Sequence, residues 1–198
     1  MAKILVVESY LSNEFSVSEF ATKKFIEEYK KINSNDEFII LDLNKEKKLQ
    51  NVLSLNNFSN FWNEDSDRYI DLINSCDKII ISTGMINFTI SPLLKNFFDN
   101  VLQANKTFKY KYDEKGKSVG LVDSSKKVQL IMAQGSYKDW YEFSAFDDYL
   151  ISVLKFMGLN DISLLLFDGT KTNDQSNLSI LEKFQLKEKE FNKCVSEF

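Results

Sequence analysis

The chain has 198 residues, of which 43% are apolar and 27% are charged, and its net charge at pH 7 is −4. A chain of this length buries about 70% of its unfolded surface in one core, which predicts a single domain over residues 1–198. No apolar run approaches the roughly 20 residues of a membrane span, and the lysines are scattered among acidic residues, so the composition excludes a membrane span and argues against a nucleic-acid partner.

The sequence contains no histidine and only two cysteines, Cys76 and Cys194. The lack of histidine excludes Ser-His-Asp and Cys-His nucleophilic machinery and removes the usual ligands of zinc and non-haem iron. The cysteines lie far apart without a C-x-x-C spacing, so we expect both to be reduced and structural. The segment Met1–Val7 is too short an apolar run for a secretory signal and predicts the first strand, so we expect a cytoplasmic protein.

Short β-branched runs alternate with longer helical periods, a pattern typical of βαβ units on a mostly parallel sheet. Five strands are predicted, at 3–7, 37–43, 78–83, 127–132 and 162–167. Five helices are predicted, at 18–32, 66–75, 92–103, 143–157 and 175–195, with Gly158 as the C-cap glycine of the fourth. Right-handed crossovers between these elements give an α/β fold, a flavodoxin-like, doubly wound five-stranded parallel sheet of order 2-1-3-4-5.

Two segments interrupt the alternation. The polar segment 44–63 is a long connection, typical of a lid, a docking loop or a disordered segment, and we interpret it as a loop that covers another part of the protein. The segment 107–122 carries Phe108, Tyr110 and Tyr112 before a glycine-containing turn and predicts a β-hairpin inserted between the third helix and the fourth strand. Its aromatic residues form either a cross-strand ladder that stabilises the hairpin or a wall for a substrate.

In a doubly wound sheet the ligand crevice lies at the carboxyl ends of the strands, here between the first and third strands. After the first strand, the hydroxyls of Ser16 and Ser18 and the free amides of the helix start are suited to a phosphate. The pattern Ser16-x-x-Glu19 also fits a capping box that needs no ligand. Neither a G-x-G-x-x-G nor a G-x-x-x-x-G-K-[ST] motif is present, so a serine-lined monophosphate site is favoured over a dinucleotide or ATP site.

Two further loops reach the same edge of the predicted sheet. After the third strand, Asn87 is either a ligand contact or a turn residue, while Met85 and Phe88 are interpreted primarily as core residues. After the fourth strand, Gly135 either forms a turn or lets the backbone approach a planar ring closely. Three such loops at one edge favour a flavin.

The segment Met85–Asp99, followed closely by Thr107–Tyr110, resembles the FMN-dependent NADH:quinone oxidoreductases. These are the azoreductases, some of which carry an older name as acyl carrier protein phosphodiesterases. The similarity also covers residues 1–20 and 120–135 in the same order. It implies a homodimer with FMN at the subunit interface, NADH as co-substrate, and quinones or azo compounds as the small-molecule acceptors.

The resemblance also implies which residues bind the cofactor. They are Ser9, Tyr10, Ser16, Val17, Ser18, Met85, Ile86, Asn87, Phe88, Ala133, Gln134, Gly135 and Ser136. The chain departs from the family pattern at four of these positions. The family has serine where this chain has Tyr10 and Ala133, tyrosine where it has Ile86, and glycine where it has Ser136. The loss of a tyrosine hydroxyl at Ile86 removes a side-chain contact but leaves the backbone contacts of that loop.

The implied reaction has two steps: NADH passes a hydride to the flavin N5 and leaves, and an oxidised acceptor takes its place. Because the cofactor carries the redox chemistry, no catalytic side chain is predicted, and protons come from water. One alternative is a flavodoxin-like FMN electron carrier or binding module without NADH-dependent turnover. Another is a phosphodiesterase, for which the sequence offers neither a metal-ligand cluster nor a nucleophile–base pair.

Overall fold

The computed structural model of this chain describes residues 1–11, 16–111, 117–142 and 146–198. The described strands are β1 (Lys3–Glu8), β2 (Glu37–Asp42), β3 (Lys78–Gly84), β4 (Phe108–Lys111), β5 (Lys117–Gly120), β6 (Lys127–Ala133) and β7 (Asp161–Phe167). The described α-helices are α1 (Val17–Ile32), α2 (Glu64–Ser75), α3 (Pro92–Val101), α4 (Phe146–Met157), α5 (Ile180–Gln185) and α6 (Glu188–Glu197). The predicted start of the fourth helix, at 143, lies outside the described residues.

The main sheet contains five parallel strands in the order β2-β1-β3-β6-β7. This is the predicted order 2-1-3-4-5 once the two strands of the inserted hairpin are left out of the numbering. Val6 of β1 pairs with Ile40 of β2 on one side and with Ile80 of β3 on the other. The parallel register brings the carboxyl ends of β1, β3, β6 and β7 to one edge of the sheet, where the predicted site loops begin.

The inner strands carry mostly apolar residues on both faces, because helices cover the sheet from both sides. Ile4 and Val6 of β1 pack in a cluster with residues of α1, α5 and α6, whereas Leu5 and Val7 pack in a cluster with residues of α2, α3 and α4. The alternation follows from the two-residue period of a strand. The nearly continuous apolar runs in the sequence therefore predicted correctly that these strands are buried.

The predicted hairpin is present as the antiparallel pair β4–β5. The ring of Phe108 lies 4.6 Å from that of Phe156, so packing on α4 fixes this residue more than a cross-strand ladder does. Gly158 ends α4 with φ +107°, as its predicted role as the C-cap glycine requires. A Cβ added at Gly120 would lie only 2.1 Å from the backbone nitrogen of Gly158. Two glycines thus let the hairpin dock on the end of α4. Tyr112 lies outside the described residues.

The prediction of a single helix over 175–195 is wrong. The chain forms turns up to Ser179, and α5 begins there with a full capping box between Ser179 and Glu182. A second helix, α6, follows after a break. Phe184 and Phe191 meet across that break with ring centroids 4.8 Å apart, and both helices pack on α1. The apolar periodicity of the sequence continues through the break between α5 and α6, and so the pattern did not reveal the break.

The segment 44–63 is folded rather than extended. It contains the 3-10 helices Lys47–Gln50 and Phe58–Asn60 and the end of a third, Leu43–Lys45. The Nδ2 of Asn96 on α3 donates to the carbonyl oxygens of Leu49 and Asn51, at 2.9 and 3.1 Å. The indole N–H of Trp62 donates to the carbonyl oxygen of Asp99, at 2.8 Å. The segment therefore covers α3.

Cys76 and Cys194 are both free and buried. Among the described residues, no helix combines the length and apolar character that crossing a membrane requires. The same residues contain no group of three or more His, Cys, Asp or Glu side chains placed to hold a metal ion.

Candidate functional site

Four loops at the carboxyl edge of the sheet surround a cavity of about 280 Å³. They follow β1, β3, β6 and β7, so the site lies where a doubly wound sheet is expected to bind a ligand. The residues that line it are Ser9, Tyr10, Leu11, Ser16, Val17, Ser18, Gly84, Met85, Ile86, Ala133, Gln134, Gly135, Thr170 and Lys171.

The start of α1 forms one end of this cavity. Ser16 is the N-cap residue: its Oγ accepts from the amide of Glu19 at 3.2 Å and lies 3.1 Å from the Oγ of Ser18. The carboxylate of Glu19 pairs with Lys23. Of the capping box, the described contacts thus show the bond to the Ser16 side chain but not the return bond from Glu19. The first-turn amides of the helix, which have no helical acceptor, remain suited to an anion.

Hydrogen bonds within the protein fix this serine end. Ser9 is fully buried, and both its amide and its Oγ donate to the carbonyl oxygen of Ser82, at 3.0 and 3.1 Å. The hydroxyls of Thr22 and Ser82 both donate to the carbonyl oxygen of Ser18, at 2.8 and 3.3 Å. These bonds tie the first turn of α1 to the ends of β1 and β3. The proton of the Ser9 hydroxyl is already used, so Ser9 shapes the wall rather than donating into the cavity.

Tyr10 forms a hydrogen-bonded pair with Glu8. The Tyr10 hydroxyl donates to Oε2 of Glu8 at 2.8 Å, and the Tyr10 carbonyl oxygen accepts from Asn44 at 3.1 Å. Burial raises the pKa of Glu8, and the nearby Asp42 carboxylate raises it further, although the bond from Tyr10 opposes this. Burial and the bond to Glu8 also raise the pKa of Tyr10. Tyr10 therefore stays protonated, with its proton committed to Glu8.

The loop after β3 is a tight two-residue turn. Ile86 and Thr89 exchange backbone hydrogen bonds of 2.9 and 3.1 Å around Asn87 and Phe88, whose φ angles are +46° and +69°. Positive φ at both central residues is typical of a type I′ turn and costs about 1–2 kcal/mol at a bulky residue such as Phe88. Of the two alternatives for Asn87, the structure shows the turn residue, and a contact with a ligand stays a prediction.

The interpretation of Phe88 as a core residue is wrong, because its side chain is 41% exposed. The turn directs the backbone so that Phe88 lies at the rim of the site, and its ring contacts that of Tyr141 at 5.3 Å. Met85 is partly buried and packs against the core, as predicted.

A second cavity of about 400 Å³ adjoins the first. Its lining residues are Met85, Asn87, Phe88, Gly135, Ser136, Trp140, Tyr141, Lys171 and Thr172. Three of them are aromatic, and Trp140 is 57% exposed. The shared residues Met85, Gly135 and Lys171 connect the two cavities.

The loops after β6 and β7 are joined through their backbones. The amide of Lys171 donates to the carbonyl oxygen of Gly135 at 2.9 Å, and the Thr170 hydroxyl donates to that of Gln134 at 2.9 Å. A Cβ at Gly135 would lie 3.1 Å from Cδ of Lys171, so the lysine stem lies over this glycine. At Gly84 an added Cβ would meet only the Ala133 carbonyl, at 3.9 Å, so the cavity reaches the backbone there.

A family model described as the flavodoxin-like fold matches residues 2–188. The FMN-dependent NADH:quinone oxidoreductase of Metamycoplasma arthritidis is 42% identical over 200 residues, with 100% of each chain covered. That of Malacoplasma penetrans is also 42% identical over 200 residues, covering 96% of this chain and 94% of the relative. This chain belongs to the family of FMN-dependent NADH:quinone oxidoreductases. The family resemblance found in the sequence is therefore confirmed.

Solved structures share the family's fold. An azoreductase from Bacillus anthracis strain Sterne matches with a TM-score of 0.83 at 23% identity, with 100% of each chain covered. An FMN-dependent NADH-azoreductase from Bacillus anthracis strain Ames Ancestor, solved in complex with FMN, matches with a TM-score of 0.81 at 24% identity, covering 100% of this chain and 99% of that one. At these identities the likeness concerns the fold, and it agrees with the predicted sheet order.

Every residue predicted to bind the cofactor borders one of the two cavities. Asn87, Phe88 and Ser136 line the second cavity, and the other predicted residues line the first. Three loops that are far apart in the sequence are thus brought together as predicted. Their contacts with a cofactor remain a prediction.

The sequence analysis missed the loop after β7, which contributes Thr170 and Lys171, and the aromatic pair Trp140 and Tyr141. A signal for the first was available, because the rule that ligands bind at the carboxyl ends of parallel strands applies equally to the fifth strand of the sheet. Trp140 and Tyr141 carry no such signal, since their position depends on the path of the chain after β6.

Proposed function

We propose that this chain is an FMN-dependent oxidoreductase that oxidises NADH and reduces quinones or azo compounds, as the names of its relatives indicate. One observation carries the proposal: the loops after β1, β3, β6 and β7 enclose one cavity that opens directly into a second, aromatic one. When bound, FMN supplies the redox chemistry by taking up a hydride from NADH and passing reducing equivalents to the acceptor.

The serine end fits the phosphate of the cofactor. Ser16 and Ser18 offer hydroxyl groups, and the first-turn amides of α1, including that of Val17, offer N–H donors at the positive end of the helix dipole. The tyrosine that replaces the family's serine turns its proton towards Glu8. We therefore assign phosphate binding to residues 16–18 and assign Tyr10 to the wall of the cavity.

The floor of the first cavity fits a flat ring. Gly84 leaves the backbone uncovered, and Gly135 carries no side chain on the opposite loop. The turn at Asn87 and Phe88 holds its amides at the rim in one fixed conformation. We propose that these backbone groups orient the ring, so that cofactor binding does not require a hydroxyl group at Ile86.

The second cavity fits the two substrates in turn. Phe88, Trp140 and Tyr141 offer planar apolar surfaces of the kind that stack on a nicotinamide or a quinone. Among the described residues that line this cavity there is no carboxylate, and the chain has no histidine, so these side chains position the substrates rather than transfer protons. Water supplies the protons of the reduced acceptor.

We include in this proposal a cytoplasmic homodimer. The side chains of Val52, Leu55 and Phe58 are 61%, 95% and 60% exposed on one short segment, a concentration of apolar surface that a second copy would cover. The buried free cysteines are compatible with a reducing compartment. Sedimentation velocity of wild type and Leu55→Lys tests the dimer, since a charge at this position is expected to produce monomer.

The proposed function is tested with purified protein. We expect it to bind FMN stoichiometrically and, once loaded, to oxidise NADH when a quinone is added. Protein that takes up FMN but never oxidises NADH would instead support the electron carrier. Failure to bind FMN at all would contradict both functions.

A further inference from the structure

Lys171 is the only charged residue among the described residues that line either cavity. It borders both cavities, its stem lies over Gly135, and its side chain is exposed to solvent. Every other lining residue is apolar, aromatic, glycine or an uncharged polar residue. Within the described part of the walls, a ligand that spans the two cavities therefore meets one positive charge and no negative charge.

Three carboxylates on the segments that follow β6 and β7 have other partners. Asp168 pairs with Lys187 at 3.5 Å, Asp147 pairs with Lys138, and Asp174 accepts from the hydroxyl of Tyr137. Within the part of the chain that the structure describes, no carboxylate pairs with the Lys171 ammonium. Its charge is therefore available to a ligand.

We propose that Lys171 makes this enzyme selective for planar aromatic acceptors that carry an anionic substituent, such as a sulfonate or a carboxylate. The inference rests on the proposed function and adds a substrate class to it. Phe88, Trp140 and Tyr141 bind the ring system, and Lys171, at the boundary of the aromatic cavity, contacts the anionic group. A neutral acceptor uses only the aromatic wall.

The test measures binding of two anthraquinones to oxidised, FMN-loaded enzyme without NADH, so that no turnover is involved. Anthraquinone-2-sulfonate carries the anionic group, and 2-(hydroxymethyl)anthraquinone has the same ring system without the charge. Isothermal titration calorimetry gives the two dissociation constants. In a Trp62→Phe background Trp140 is the only tryptophan, so quenching of its emission reports entry into the second cavity.

We expect the wild type to bind the sulfonate more tightly than the neutral compound. Lys171→Met keeps the stem that covers Gly135 and removes the charge, and it should weaken sulfonate binding about two- to fivefold, the range of an exposed ion pair, with little effect on the neutral compound. Lys171→Arg should keep the preference. High salt should reduce the preference of the wild type for the sulfonate over the neutral compound, but it should leave the ratio of the two affinities unchanged in Lys171→Met.

Lys189→Met is the matched control, because it removes an exposed lysine of α6 that lines neither cavity. Equal affinities of the wild type for the two compounds would overturn the inference. It would also be overturned if Lys171→Met lost affinity for both compounds by the same factor. Unchanged binding of both compounds to Lys171→Met, with a raised KM for NADH in a separate steady-state assay, would also overturn the inference and assign Lys171 to the dinucleotide. Failure of the proposed function itself is recognised separately, by lack of FMN uptake or of NADH oxidation with either quinone.

Discussion

The two ends of the cavity system differ in how their side chains are held. At the serine end, Ser9 and Thr22 are fully buried, and their hydroxyls donate to backbone carbonyls of β3 and α1. At the aromatic end, Trp140 and Phe88 are 57% and 41% exposed, and the ammonium of Lys171 extends from an exposed residue. One end is fixed by internal hydrogen bonds, and the other is open to solvent.

This difference indicates a division of labour. A prearranged polar site binds one ligand tightly because little conformational entropy is lost when the ligand enters. An open aromatic surface suits ligands that must exchange during each turnover. The serine end is thus suited to a resident cofactor and the aromatic end to NADH and the acceptor, and substitutions at the two ends should separate these roles.

The largest effect is expected at the cap of α1. Ser16→Asp keeps a good N-cap residue but places a negative charge where the phosphate is proposed to bind. Repulsion at short distance should weaken FMN binding on the order of 100-fold, with little change in stability. FMN titration followed by flavin fluorescence measures this effect.

Ser179→Asp is the matched control, since Ser179 is also an N-cap serine whose side chain accepts from the amide three residues on, but it lies outside the cavities. It should bind FMN like the wild type. An unchanged FMN affinity in Ser16→Asp would place the phosphate elsewhere.

A smaller effect is expected from Gly84→Ala. The added methyl group meets only the Ala133 carbonyl at 3.9 Å, so folding is expected to change by less than about 0.5 kcal/mol. Because the methyl group occupies the floor of the cavity, FMN binding should weaken about tenfold. Gly120→Ala is the opposite case, since its methyl group would collide with Gly158 and destabilise the fold. A stable Gly84→Ala protein with normal FMN affinity would exclude Gly84 from the ring site.

The turn at the aromatic end should reveal its backbone strain. Alanine and glycine at position 88 both remove the ring, but only alanine keeps a Cβ at φ +69°. Phe88→Gly should therefore be more stable than Phe88→Ala by about 1 kcal/mol, or about 2–4 °C in Tm. Lys155 is an exposed residue of α4, and there the order of stability should reverse: Lys155→Gly should be less stable than Lys155→Ala, because glycine disfavours a helix. Thermal unfolding of the four variants decides the point, and an alanine variant at 88 as stable as the glycine variant would argue against a strained turn.

The smallest effect concerns pH. Because burial raises the pKa of Glu8 above its ordinary value of 4.5, ionised Glu8 lowers stability at pH 7, and this cost disappears below the ordinary value. Glu8→Gln should therefore be slightly more stable than the wild type at pH 7, and the difference should shrink as the pH falls towards 4.5.

Asp42 provides a control of opposite sign. Burial alone would raise the pKa of Asp42, but hydrogen bonds from Lys45 and Asn44 lower it below 3.8. Asp42→Asn should lose stability at pH 7, and its difference from the wild type should shrink as the pH falls below 3.8. Chemical denaturation across pH measures both variants. A Glu8→Gln protein less stable than the wild type at pH 7 would show that ionised Glu8 is needed.

The sequence was sufficient for the sheet and for most of the site because those features depend on local pattern. Continuous apolar runs such as Ile79–Ile81 identify strands buried on both faces, and the parallel order follows from their alternation with helices. The sequence was not sufficient for the last helix, where the break before α6 depends on how Phe184 and Phe191 pack on α1.

The loop positions show the same limit more sharply. The residue type of Asn87 left open a turn residue or a ligand contact, and the structure shows the turn, but the exposure of Phe88 follows from a backbone conformation that phenylalanine disfavours. A residue type predicts its most frequent environment, and a strained position is an exception that the surrounding structure imposes.

The sequence alone determined the family, the order of the sheet and the three loops at its carboxyl edge, because hydrophobic period and local motifs are encoded residue by residue. Only the tertiary structure decided that the loop after β7 joins them, that Tyr10 donates to Glu8, and that Lys171 is the single charged side chain among the described residues that line the two cavities. These features depend on which distant side chains meet and which charges neutralise one another, and such pairings form only when the chain is folded.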